Sequence, residues 1–190
     1  RNLRTPRIEH WSVSVQRQLG ATRVLEVAYV GSRGNNLIAA RDINQPSPSV
    51  QFPNIRPNPL FSDVTFIESR GHSDYDALQI KFQQRFERGL SILSSYTFGK
   101  SMDDASGFFA STGDPNLPQD SRNPKLEYSR SSFDVRHRLS TSFSWEIPFG
   151  SGRTWLDGNS IAVAILGNWD LHGIMSLAGG QPYTVALLPE

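Results

Sequence analysis

The sequence predicts an all-β, antiparallel protein of about six long strands, and three observations carry that reading. Stretches of 10 to 16 residues alternate apolar and polar side chains with a period of two. The links between these stretches are either a few residues or about thirty residues long. Only 37% of the 190 residues are hydrophobic, so strands of this length have one greasy face and one wet face.

The first element, "HWSVSVQRQL" at 10 to 19, puts Trp11, Val13, Val15, Arg17 and Leu19 on one face, with His10, two serines and two glutamines on the other. Arg17 is the misfit, placed near a strand end where a long side chain can carry its charge to water. After the break "GAT", the stretch "RVLEVAYV" (23 to 30) is apolar on both parities, and its β-branched content marks a strand. "GSRGNN" (31 to 36) reads as a strand exit, since no helix follows for a phosphate cradle.

The next strand runs through 75 to 86, with Leu78, Ile80, Phe82 and Phe86 facing one way and Tyr75, Gln79, Lys81, Gln83 and Arg85 the other. Residues 62 to 73 are taken as its upper part. The turn "ERG" leads into 90 to 100, where Leu90, Ile92, Tyr96 and Phe98 keep register, a hairpin whose glycine supplies the turn. Residues 131 to 150 read as one long strand. Phe133, Val135, Leu139, Phe143, Trp145 and Ile147 hold its apolar face, and Asp134, Arg136, Arg138 and Glu146 its polar face. A helix would smear this pattern around its circumference. Finally, 168 to 178 presents Trp169, Leu171, Met175 and Leu177 on one side.

The turns 20 to 22 and 87 to 89 and the moderate link 148 to 163 fall at one edge of such a sheet. The loops 33 to 62, with five of the twelve prolines, and 102 to 131 fall at the other. A soluble β-sandwich would bury the apolar face against a second sheet and recognise carbohydrate or protein through the long loops. A transmembrane β-barrel would turn that face to lipid. Strand length, loop asymmetry and aromatics near strand ends favour the barrel.

Other function classes find little support. Net charge is +1 with basic residues spread along the chain, which gives no footprint for nucleic acid. No cysteine is present, so disulfides and thiolate metal sites are excluded. His10, His72, His137 and His172 are isolated from one another in sequence. Asp103, Asp104, Asp114 and Asp120 share one loop but lack the spacing of an EF-hand, and a solvated loop explains them. No nucleophile elbow or catalytic triad is suggested, so neither an enzyme nor a cofactor is expected. The longest apolar run, "IAVAIL" at 161 to 166, is far too short for a membrane helix.

The blocks "WSVSVQRQLG", "VLEVAYVGSRGNNL", "YDALQIKFQQRFERGLSILSSYTFGKSMDDASG", "SSFDVRHRLSTSFSWEIPFG" and "GNWDLHGIMSLAGGQPYTV" resemble consecutive parts of the barrel of Oar-like TonB-dependent outer-membrane receptors. That group often carries an N-terminal carboxypeptidase-regulatory-like domain. The resemblance covers most of residues 2 to 186 and implies an up-and-down transmembrane β-barrel of about 22 strands around a plug. Residues 1 to 190 would then be one part of that barrel, an open curved sheet without the plug or the remaining strands. It implies a place in the bacterial outer membrane. The implied partners are lipid, the rest of the barrel and plug, the TonB complex through the missing N-terminal part, and an unknown ligand. Lys81, Gln83, Arg85, Asp134, Arg136 and Arg138 would face the lumen; Leu78, Ile80, Phe82, Leu139, Phe143 and Trp145 would face lipid; Asp103, Asp104, Asp114 and Asp120 would sit in an external loop.

Overall fold

A computed structural model describes residues 3–47, 55–87, 89–107, 117–150, 152–155 and 161–183. Seven strands form one open antiparallel sheet: β1 (Arg7–Leu19), β2 (Arg23–Asp42), β3 (Thr65–Glu87), β4 (Leu90–Asp103), β5 (Ser129–Arg130), β6 (His137–Glu146) and β7 (Asp170–Ala178). The six long strands lie in the order β1, β2, β3, β4, β6, β7, and the two-residue β5 pairs with the end of β4. Among the described residues the other regular elements are a 3-10 turn at Pro124–Glu127 and a six-residue helix, α1 (Ile161–Leu166).

The alternation fixes this arrangement because each strand can offer only one apolar face, and neighbours must offer theirs on the same side. Register does this throughout the regular part of the sheet. Val15 pairs with Val27, Val27 with Ile80, Ile80 with Tyr96, Tyr96 with Leu139 and Leu139 with Leu177. The opposite face carries Gln16, Glu26, Lys81, Ser95, Ser140 and Ser176 in one such row. Register also settles β2, which is apolar on both parities: Leu25, Val27 and Tyr29 join the apolar face, Val24 and Ala28 the polar one. The turns after β1 and β3 use glycine at positive φ, 81° at Gly20 and 78° at Gly89, where a side chain would be strained.

Among the described residues, no hydrophobic core underlies the sheet: the buried apolar side chains are four alanines, and Val15 is 69% exposed. The chain exposes 14106 Å², where a compact monomer of its 21.2 kDa would expose roughly 9,100 Å². A sandwich would have covered the apolar face, and here it lies bare.

Several boundaries differ from the sequence reading, among them the link from β6 to β7, which runs 147–169 and not 148 to 163. The strand beginning "SSFDV" starts only at His137, because the Asp134 backbone N–H donates to the Ser131 carbonyl and turns the chain before the ladder begins. Phe133, Asp134, Val135 and Arg136 therefore precede the strand, and their parity does not assign a face. "GSRGNN" is no strand exit: β2 continues to Asp42 through a bulge where the pairing shifts between Gly34 and Ile38. Asn36 adopts φ of 55° there, a conformation asparagine tolerates better than most residues. The first long loop is accordingly 43–64, not 33 to 62. The second, 104–128, begins after Asp103, which ends β4. In contrast, residues 65 to 87 do form a single strand.

Candidate functional site

The edge of the apolar band runs diagonally across the sheet. In the cross-strand row Arg23, Gln84, Ile92 and Phe143, polar residues on β2 and β3 give way to apolar ones on β4 and β6. In the row Trp11, Gly31, Asp76 and Lys100, nearer the long loops, apolar gives way to charged in the same direction. Both ends of the band thus step down the sheet together, as they must if strands tilted by about 40° cross a planar apolar slab. On β6 and its extension the band runs from His137 to Ile147, ten residue steps, roughly 33 Å of strand or about 25 Å once tilted, the height of an outer-membrane apolar band.

Beyond that band the long loops are held by buried polar groups. The Asp42 carboxylate accepts from the backbone N–H groups of Asn44 and Val64 at 2.8 and 2.9 Å. The Asn44 amide donates to the carbonyls of Asn58, Phe61 and Ser62, and its oxygen accepts from the Asn58 N–H. Arg56 reaches the Asn44 and Ser62 carbonyls and pairs with Asp63 at 2.8 Å. Loop 43–64 is therefore closed on itself at its root.

It is also fastened to the second loop. The Gln45 amide donates to the Gln119 carbonyl and accepts from the Ser121 N–H, both at 2.7 Å. Arg122 donates to the Pro46 carbonyl at 2.9 Å and to the Ser47 hydroxyl at 3.2 Å. Arg41 at the end of β2 donates to the Ser121 carbonyl at 3.1 Å and pairs with Glu68 at 2.8 Å. The charge chain continues from Glu68 to Arg70, Asp104 and His72.

The aspartates expected in an external loop separate into different tasks. Asp103 closes β4, buried, and accepts from the Ser106 hydroxyl at 2.8 Å. Asp104 accepts from the His72 N–H at 2.8 Å. Asp120 accepts from the Arg122 N–H at 3.0 Å. Asp114 lies outside the described residues. Among the described residues no three His, Cys, Asp or Glu side chains gather as a metal site would require. Asp103, Asp104, Glu127 and Arg130 do border an open cleft of about 170 Å³ between the second loop and the sheet end.

The polar-face candidates likewise divide. Register sets Lys81, Gln83 and Arg138 opposite to Leu78, Ile80, Phe82, Leu139, Phe143 and Trp145. Arg85 lies past the last regular pair, where the β3 and β4 register shifts. Asp134 instead belongs to the loop root: its carboxylate accepts from the Ser101 N–H at 2.8 Å, beside a Ser101 to Ser131 hydroxyl contact. Arg136 sits 3.7 Å from that carboxylate. The Tyr128 hydroxyl donates to Asp74 at 2.8 Å; partial desolvation and that carboxylate push the phenol pKa up to about 12.

Residues 1–187 match the family model of an outer membrane beta barrel domain. The chain belongs to that family. Neither a curated protein nor a solved structure matches it. As an outer-membrane β-barrel domain it resides in the bacterial outer membrane and serves as barrel wall. Membership in this family, together with the uncovered sheet, overturns the alternative of a soluble sandwich.

Asn44, Gln45, Arg56, Glu68, Arg70 and Arg122 were invisible to sequence reasoning. Asn44, Gln45, Arg56 and Arg122 lie in loops, where no alternation operates, Glu68 and Arg70 lie in the loop-end part of β3, and the decisive partners can be far away in the chain: 74 residues separate Gln45 from Gln119. No local pattern announces such a pair.

Proposed function

We propose that this outer-membrane β-barrel domain is part of a TonB-dependent receptor of the Oar-like group, supplying wall and external loops for energy-coupled uptake of a ligand. The observation that carries the proposal is the locked loop end, where Gln45 and Arg122 join the described parts of two long loops at the mouth of the barrel. A receptor needs such joined loops, because loops ordered before binding lose less entropy when ligand arrives. The order and extent of the receptor-like sequence blocks support the same reading.

In this reading Leu78, Ile80, Phe82, Leu139, Phe143 and Trp145 meet lipid, and Lys81, Gln83, Arg85 and Arg138 line the lumen toward the plug. Asp134 and Arg136 brace the root of the second loop, and Asp104 and Asp120 brace its path. The remaining strands would complete the lumen, and TonB would act through the N-terminal part. No catalytic step and no cofactor is assigned to the chain.

The test is retention of the complete protein, with its N-terminal region intact, on the immobilised periplasmic domain of TonB. Retention that is lost when the N-terminal region is removed supports the receptor reading. Failure to bind leaves a barrel without energy coupling and overturns it.

A further inference from the structure

We infer that the link between β6 and β7 is a membrane foot, whose helix α1 and Trp169 seat in the periplasmic phospholipid leaflet beside the barrel. The inference rests on the reading that the apolar face of the sheet meets lipid. The link leaves β6 at Glu146 and enters β7 at Asp170, at the same end as the tight turns after Leu19 and Glu87. In bacterial barrels the short connections are periplasmic.

Four observations place this link in the bilayer boundary. First, the Ile147 N–H donates to the Trp169 carbonyl at 2.9 Å, so the ladder extends one pair beyond the strands, and Ile147 and Trp169 continue the parity of Trp145 and Leu171. Second, the Trp169 indole N–H donates to the Ile165 carbonyl at 2.8 Å, which ties the last turn of α1 to that row. Third, α1 reads "IAVAIL" with no charge, yet Ile161, Ile165 and Leu166 are 81%, 62% and 53% exposed. Six residues are too few to hold a helix in water alone. Fourth, charge lies on the other side: Arg153 pairs at 2.6 Å with Glu146, which has the parity of the polar face.

The helix is also fastened at its end. Gly167 N–H donates to the Val163 carbonyl and Asn168 N–H to the Phe149 carbonyl, at 2.9 and 2.8 Å, which folds α1 back on the end of β6. Trp169 stands at the lower limit of a band about 25 Å high, the level where tryptophans with one apolar and one hydrogen-bonding side collect. The bare residues of α1 are thus continuous with the lipid-facing surface, and the occupant is the boundary between acyl chains and phospholipid headgroups.

The experiment is site-directed spin labelling of the complete protein in phosphatidylethanolamine and phosphatidylglycerol vesicles. Labels go singly at Ile165→Cys, at Val15→Cys on the apolar face and at Thr154→Cys in the exposed part of the link. The expected result is that the Ile165 label resembles the Val15 label, reached by oxygen several-fold better than by a water-soluble nickel chelate, with Thr154 showing the reverse. If Val15 is oxygen-accessible while Ile165 is nickel-accessible, the foot is overturned and the lipid-facing reading stands. Ile165 shielded from both reagents also overturns it, because the helix would then be covered by protein. If Val15 itself is not reached by oxygen, the lipid-facing reading fails and the foot falls with it.

Discussion

Between Val13 and Leu177 the sheet presents bare valine, leucine, isoleucine and aromatic side chains to its surroundings; at the loop end the buried residues include Asp42, Asn44, Asp103, Ser121, Ser131 and Asp134. A soluble domain reverses this, with apolar residues inside and carboxylates in water. The difference reflects two solvents. In hydrocarbon, backbone groups must be paired by the ladder, and apolar side chains need no protein cover. In water, the loops of this chain are held by hydrogen bonds and ion pairs, and these become strong where side chains such as Asn44 are withdrawn from solvent. One chain thus uses two packing rules, divided at the upper edge of the apolar band.

The largest effect expected concerns which side of the membrane each region occupies. Leu126→Cys, in the second loop, should react with a membrane-impermeant maleimide on intact cells. Ala21→Cys, in the turn after β1, should react only after the outer membrane is breached, provided the remainder of the protein is cysteine-free. Equal labelling of both on intact cells would break the division.

Next in size is the contrast between adjacent residues on the two faces of β6. Phe143 lies near the middle of the band, so Phe143→Arg should destabilise the complete protein by about 2 to 4 kcal/mol in lipid, as expected for a cation at the midplane. Ser142→Arg, pointing the other way, should cost much less. Denaturant titrations in vesicles giving the reverse order would mean that the two faces have been exchanged.

A smaller effect is expected at the loop root. Asn44→Ala removes the bonds that its amide makes to the Asn58 N–H and to the Asn58, Phe61 and Ser62 carbonyls and should cost about 1 to 3 kcal/mol, expressed locally as faster proteolysis within loop 43–64. The strands in lipid should keep their thermal transition. A lowered transition for the whole barrel would show that the two regions are not independent.

The smallest effect is electrostatic. Because the folded pKa of Tyr128 is raised to about 12, its contribution is fully present below the free phenol value of about 10 and fades as pH climbs through 12. The difference in tyrosinate absorbance between the native protein and Tyr128→Phe should titrate near 12. A midpoint near 10 would mean that the hydroxyl is not held against Asp74.

By itself the sequence determined the long strands and, except in β2, their faces, because a period of two is written into the covalent geometry of every extended residue. Leu139, Phe143 and Trp145 fall on one side of β6 whatever else the chain does, and the two long connections follow from where the alternation stops. Only the tertiary structure decided the slope of the apolar band, since it emerges from the register of β2, β3, β4 and β6 together. The bulge at Asn36 was legible merely as a break, because whether a ladder resumes beyond it depends on what the partner strand offers. The same limit hid the loop end: Asp134 reads as one more residue on a polar face until Ser101, 33 residues earlier, claims its carboxylate and turns the chain away from the sheet. Alternation is a property of neighbours in sequence, whereas register and loop closure are set by groups brought together only when the chain has folded.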